Sequence, residues 1–321
     1  MKTVISTDRV AAVELLRKGD VVALPTETVY GLAAKAVDPI AVAKIFAAKE
    51  RPRFDPLIVH LPNRGWLGKV VDVPAGDRQL IDRLTEKFWP GPFTMVLPKR
   101  EIIPDIVMAG LDTVAVRSSA HPVFADIIAE LDEPLAAPSA NRFGRISPTT
   151  AEHVLDELDG RIPLIIDAGP TEHGVESTIV GIRDGKIMMF RRGPVTHEQL
   201  SEFAEVNCVI AASKISSPGQ LRSHYAPRTP LRLIDNAQAF PLEKHRCVGL
   251  LAWNRALRSP QAFAVVRILS DRGDLQEAAA NLFRYLRELD TLDLDLIVAE
   301  RLPPQGLGAA IMDRLERAAH Q

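Results

Sequence analysis

Short apolar runs recur along the first two thirds of the chain, each too brief for a helix and bounded by turn residues. They are "DVVALPT" (20–26), "PLIVH" (56–60), "FTMVLP" (93–98), "TVAVRSS" (113–119), "PLIID" (163–167), "STIVGI" (177–182) and "KIMMFR" (186–191), and they predict buried strands. Between them the period lengthens to that of a helix over 8–18, 38–49, 77–88, 121–131 and 149–158. In 38–49 the residues Ile40, Val42, Ala43, Ile45, Phe46 and Ala47 form one broad apolar face. Interleaved strands and helices of this kind predict an α/β fold around a twisted mixed sheet. From 206 to 229 the periodicity stops and Ser and Pro accumulate, the pattern of a connecting segment. Strand patterns return at 230–234, 247–253, 264–269 and 294–300, with helices over 275–289 and from 308, which predicts a smaller Rossmann-like unit. The expected division is a first domain over 1–206, a linker or lid over 207–228, and a second domain over 229–321.

A chain of 321 residues is long enough for two cores. Its net charge of −2 supplies no bulk attraction to nucleic acid, so any RNA contact must come from a local patch. Two cysteines, Cys208 and Cys247, form neither a CxxC pair nor a disulfide framework, which suits a reducing compartment. The opening "MKTVISTDRV" lacks the apolar stretch of a signal peptide, and no run reaches the roughly 18 apolar residues of a membrane span. A cytoplasmic protein without membrane contact is the expectation.

Familiar catalytic signatures are missing: there is no P-loop, no HExxH or paired Cys/His metal spacing, and no GxSxG elbow. The "GLG" at 306–308 could place amides around a phosphate, but a tight turn explains it equally well. Cationic and hydroxyl residues cluster instead where the predicted strands end. "PTETVYG" (25–31) offers Thr26 and Thr28; "KERPR" offers Lys49, Arg51 and Arg53; His60 closes "PLIVH"; Arg117 closes "TVAVR". "APSANRFGRISP" (137–148) brings Ser139, Asn141 and Ser147, "GVEST" brings Ser177, and "MFRRGP" brings Arg191. Singly, each has a plain structural explanation: a helix-end cation against the dipole, a sheet-edge ion pair, a buried histidine, a turn-capping serine. Together, at loops on one end of an open sheet, they suit a polyanion held by guanidinium forks and hydroxyls.

The same segments, in order, resemble the YrdC-like threonylcarbamoyl-AMP synthases: "GDVVALPTETVYGL", "KERPRFDPLIVH", "FWPGPFTMVL", "GLDTVAVRSSAHP", "PLAAPSANRFGRISPT", "GVESTIV" and "RRGP". "SPGQLRSHYAP" and "PPQGLGAAIMDRLERAA" resemble the longer Sua5 form, which adds a C-terminal domain. The resemblance implies that L-threonine, bicarbonate and ATP give L-threonylcarbamoyl-adenylate and pyrophosphate, with Mg²⁺ carried on the triphosphate. A separate tRNA threonylcarbamoyl transferase complex would take the product to adenosine 37, and weak direct tRNA contact is possible. It also implies roles. Thr26, His60, Arg117 and Ser177, with the backbone at Ala137, fall where the family binds threonine. Lys49, Arg53, Thr113, Ser139, Ser147 and Arg191 fall where it binds ATP, and Asn141 lines the same pocket. Arg51 completes a KxR motif, so that Lys49 and Arg51 take the catalytic role, while His224 and Tyr225 belong to the segment that folds over the site. No protein metal ligand is implied. Asp55 departs from the family's usual Asn, and Gln220-Leu221 from a common Met-Lys. Two other readings remain: a double-stranded RNA or tRNA-binding module without synthase activity, and a carbamoyltransferase or hydrogenase-maturation enzyme, whose extra Cys motifs two scattered cysteines cannot supply.

Overall fold

The computed structural model describes residues 2–209, 224–242, 247–255 and 263–320. In chain order the first domain contains β1 (Val4–Ser6), α1 (Arg9–Arg17), β2 (Val22–Leu24), β3 (Gly31–Lys35), α2 (Pro39–Lys49) and β4 (Ile58–His60). Next come α3 (Leu67–Val70), α4 (Arg78–Phe88), β5 (Phe93–Pro98), α5 (Asp105–Met108), β6 (Thr113–Arg117), α6 (Pro122–Leu131) and β7 (Leu135–Ala136). The domain closes with α7 (Ala151–Leu158), β8 (Leu164–Ile166), β9 (Thr178–Arg183), β10 (Lys186–Arg191), α8 (His197–Ser201) and β11 (Val206–Cys208). These strands build one twisted mixed sheet in the order β1-β8-β2-β3-β7-β4-β6-β5-β9-β10-β11. The strand β11 occupies residues that the sequence pattern leaves to the connecting segment. It pairs parallel with β10, and that pairing, not its three-residue sequence, makes it a strand.

Helix ends follow from local chemistry. Asp8 and Asp38 accept hydrogen bonds from the first free amides of α1 and α2, and Pro39 opens α2 where a missing N–H costs nothing. The chain leaves α2 through Glu50, at φ 53°, so that the helix stops at Lys49 and Arg51 turns back toward the sheet.

Register sets the strand ends side by side. His60 at the end of β4 lies opposite Arg117 at the end of β6, and Arg117 in turn faces Thr94 of β5. On the other side of β5, Phe93 pairs with Thr178, which places the "GVEST" loop at the same edge. A register shift between Met189 and Arg191 brings Arg191 there as well, since a bulge turns the strand and redirects its last side chain.

The second domain is a four-stranded parallel sheet in the order β12-β15-β13-β14, made from β12 (Leu231–Ile234), β13 (Val248–Ala252), β14 (Val265–Ile268) and β15 (Leu296–Glu300). Helices α9 (Leu275–Asp290) and α10 (Leu307–Ala319) cover one face of it. Of the glycines at 306 and 308, Gly308 serves packing, since a Cβ there would lie 2.1 Å from the Pro303 carbonyl oxygen, and Gly306 takes a positive φ of 52°. Among the described residues no helix is long and apolar enough to cross a membrane.

Candidate active site

A narrow cleft with about 50 Å³ of free space opens where β4 and β6 end. Thr26, His60, Arg117 and Ala137 line it beside Arg51, Ser139, Arg191, His224 and Tyr225, so both halves of the expected site share one wall. Thr26 is locked in a hydroxyl turn: its Oγ1 receives the amides of Thr28 and Val29 at 3.1 and 3.2 Å and donates to the Val29 carbonyl at 2.6 Å.

Arg117 is nearly fully buried and already engaged. Its guanidinium meets Glu27 at 2.7 Å, donates to the Thr28 hydroxyl at 3.0 Å, and donates to the Gly91 carbonyl at 3.2 Å. Burial opposes a charge on Glu27, but Arg117 and the Ser119 hydroxyl outweigh it and hold the carboxyl down at about 2. His60 packs on Phe124 and is neutral, because burial, reinforced by Arg117, depresses its pKa to about 3.

The cations of "KERPR" divide. Lys49 is 1 % exposed, and its ammonium donates to the Ser139 and Asn141 carbonyls at 2.5 Å each, which ties the end of α2 to the 137–148 loop. Burial and then Arg51 lower its pKa well below the ordinary value, and an incoming anion would oppose that shift. Arg51 pairs with Asp55 at 2.8 Å and donates to the Pro56 carbonyl at 2.8 Å. The extra carboxylate at Asp55 is therefore a buried counter-ion. Arg53 is exposed and outside the cleft wall, and Thr113 sits at the far end of β6 from Arg117.

Three expected residues stand behind the wall. Ser177 is fully buried; its hydroxyl and carbonyl both accept from Arg191 at 3.0 Å, and its hydroxyl also meets Thr94 at 2.8 Å. Asn141 spans its own loop by donating to the Arg142 and Arg145 carbonyls. The Ser147 hydroxyl donates to Glu176 at 2.5 Å.

His224 and Tyr225 line the cleft at the end of the connecting segment; Ser216, Gln220, Leu221 and Arg222 lie outside the described residues. The two rings meet edge to face at 4.1 Å, and Phe143 approaches His224 at 6.2 Å. Tyr225 has φ 64°, a backbone state that costs a non-glycine residue roughly 1–3 kcal/mol and that surrounding packing must hold. Phe283 of α9 supplies that packing, stacked at 5.4 Å.

Three buried ion pairs thus surround the cleft: Arg51–Asp55, Arg117–Glu27 and Arg314–Glu176. Among the described residues Lys49 and Arg191 have no carboxylate in an ion pair, which leaves surplus positive charge for an anion. Sequence reasoning missed Glu27, Glu176 and Arg314. The first two stand inside the motifs, and Arg314 shares a helix face with Ala310, Ile311 and Ala318, an odd place for a charge. Nothing local names their partners.

Two family models match the chain. Residues 14–193 match the Sua5/YciO/YrdC family model, described as "Telomere recombination", and residues 195–320 match "Threonylcarbamoyl-AMP synthase, C-terminal domain". A threonylcarbamoyl-AMP synthase from Bacillus subtilis is 40% identical, over 96% of this chain and 92% of its own. One from Pyrococcus abyssi is 36% identical, over 97% and 93%. The crystal structure of P. abyssi Sua5 complexed with L-threonine superposes with a TM-score of 0.89 at 34% identity, covering 99% of this chain and 98% of that one. A variant of that protein with a histidine and a tyrosine replaced by alanine superposes with a TM-score of 0.88 at 34% identity, covering 99% and 96%. The chain belongs to the Sua5/YciO/YrdC family, in its longer two-domain form.

Proposed function

We propose that this protein is a threonylcarbamoyl-AMP synthase that condenses L-threonine, bicarbonate and ATP in the cleft between β4, β6 and Tyr225. The observation that carries the reading is the single wall shared by Thr26, His60 and Arg117 on one side and Ser139, Arg191, His224 and Tyr225 on the other.

The threonine amine and bicarbonate give a carbamate and water. A carbamate oxygen then attacks the α-phosphorus, the bond to the bridging oxygen breaks, and pyrophosphate leaves. The nucleophile is already an anion, so the protein's task is to hold two anions together and balance charge. Arg117 and Thr26 suit the amino-acid end. Arg191 and Arg51 on the wall, with Lys49 behind, suit the phosphates; neutral His60 and His224 add no charge and exclude water. Among the described residues no three His, Cys, Asp or Glu side chains are grouped to hold a metal, so Mg²⁺ would come with the phosphates of ATP and contribute charge neutralisation there. A cytoplasmic tRNA-modifying transferase would consume the adenylate, a mixed anhydride too reactive to store.

The test is pyrophosphate release from ATP with threonine and bicarbonate each left out in turn. Turnover is expected only with both. Equal release without either one rejects the reading.

Arg191→Ala removes a guanidinium with no carboxylate in an ion pair and should raise the ATP KM roughly ten- to a hundredfold, the value of one or two charged hydrogen bonds. Initial rates over ATP and threonine check this, with the threonine KM expected to move less. An unchanged ATP KM would assign Arg191 to holding Ser177 alone.

A further inference from the structure

The catalytic cleft is not closed by the first domain alone. Val29, Ile146, Val175 and Tyr225 belong to the same apolar cluster as Leu282, Phe283, Leu286 and Ile311 of the second domain. At Gly174 a Cβ would stand 2.3 Å from the Ala279 carbonyl oxygen, so α9 presses directly on the "GVEST" loop. Arg287 of α9 pairs with Glu157 at 3.3 Å and donates to the Ile146 carbonyl, which fixes the backbone beside Ser147.

At the centre of this contact lies Arg314 of α10, with none of its surface exposed. Its Nε donates to Glu176 Oε2 at 2.8 Å, and its Nη1 to Asp313 at 2.8 Å. Its guanidinium carbon is 5.4 Å from the centre of the Tyr225 ring. The other oxygen of Glu176 receives the Ser147 hydroxyl. Glu176 is thus a carboxylate on the wall of a cleft suited to polyphosphate, and it needs a cation to cancel it. Arg191 lies nearby, but its hydrogen bonds go to Ser177 and the ion-pair partner of Glu176 is Arg314.

We infer that Arg314 is a positioning residue for the nucleotide. From the second domain it neutralises and orients Glu176, which holds the Ser147 hydroxyl, and it seats Tyr225 over the cleft. The inference rests on the nucleotide reading above. It gives the second domain a direct electrostatic part in the reaction.

The experiment compares Arg314→Met, Glu176→Gln and the double variant in the full chain, by ATP KM, threonine KM, kcat and thermal midpoint. Turnover by the unaltered protein tests the synthase reading; only the variants test this one. Arg314→Met strands a buried carboxylate and should raise the ATP KM by about tenfold or more, with the threonine KM within about threefold, since charged contacts of this kind are worth that much. Adding Glu176→Gln removes the stranded charge and should return the ATP KM to within about threefold of Glu176→Gln alone. Glu176→Gln by itself keeps the arginine and a side-chain acceptor for Ser147, so its ATP KM should stay level or fall. If Arg314→Met does not fold, Glu176→Gln decides the matter. A tenfold rise in the ATP KM of Glu176→Gln, multiplication of the two effects in the double variant, or an unchanged ATP KM in folded Arg314→Met would each overturn the inference.

Discussion

Replacing Arg117 by alanine is expected to destabilise the fold by roughly 3–5 kcal/mol, the usual cost of leaving one member of a buried ion pair alone. Glu27 and Arg117 each keep about 5 % of side-chain surface or less, and the Glu27 carboxylate has no other cation at ion-pair distance among the described residues. The loss should depend on pH in a particular direction. In the intact protein Glu27 titrates at about 2 instead of 4.5, so its contribution is complete above 4.5 and fades as the pH falls toward 2. Without Arg117, burial is opposed only by the hydrogen bonds from Ser119 and Ala120, and the Glu27 pKa rises. The variant should therefore recover part of its deficit on acidification, as the carboxyl accepts a proton. Denaturant unfolding at pH 7 and pH 5 measures both effects. The companion Glu27→Gln/Arg117→Met removes both charges and should restore most of the stability, because neutral pairs of similar size are tolerated in such sites. It should not restore threonine use, since no fork remains for the α-carboxylate. A double variant with normal threonine KM would make Arg117 a purely structural residue.

The second large effect is acid lability beginning well above the carboxylate range. His60 and His224 are both buried, and burial is the leading cause of folded-state pKa values of about 3 against 6.5. For His60 the cation Arg117 lowers the pKa further while Glu27 opposes it; for His224, Arg51, Lys49 and Arg191 act against Glu176. The unfolded chain binds a proton at each histidine below pH 6.5, and the folded chain does not until about pH 3. Stability is therefore full above 6.5 and falls steadily through that window, by about 1.4 kcal/mol per histidine per pH unit. Between pH 7 and pH 5 the two together should remove about 4 kcal/mol, of which His224→Gln should save about half. Midpoints of chemical denaturation across this range provide the measurement. A flat profile down to pH 5 would mean that both rings can charge in place. An anion that contacts His224 would raise its pKa and flatten this curve, so repeating the series with ATP locates that ring relative to the ligand.

Local pattern determined much of this protein. The strand "FTMVLP" runs from Phe93 to Pro98 and "KIMMFR" from Lys186 to Arg191 because runs of large apolar residues have nowhere else to lie. Asp38-Pro39 starts α2 by its own capping chemistry, and the ordered hydroxyl and cationic motifs identify the family. Other elements exist only through their partners. "GLAAK" of β3 is a helix-forming composition, held extended by β2 and β7 on either side. The three residues of β11 have no strand signal apart from their pairing with β10. Charge behaved in the same way. That "KERPR" and the other strand ends would carry cations is written in the chain, but which remain available to a ligand is not. Arg51 is cancelled by Asp55 four residues on, Arg117 by Glu27 at the end of another strand, and Glu176 by an arginine 138 residues away. Propensity and motif spacing act over a few residues, whereas burial, pairing and neutralisation depend on which segments meet in space. For that reason the motifs mark candidate residues in the sequence, and the tertiary structure decides which of them reach the cleft.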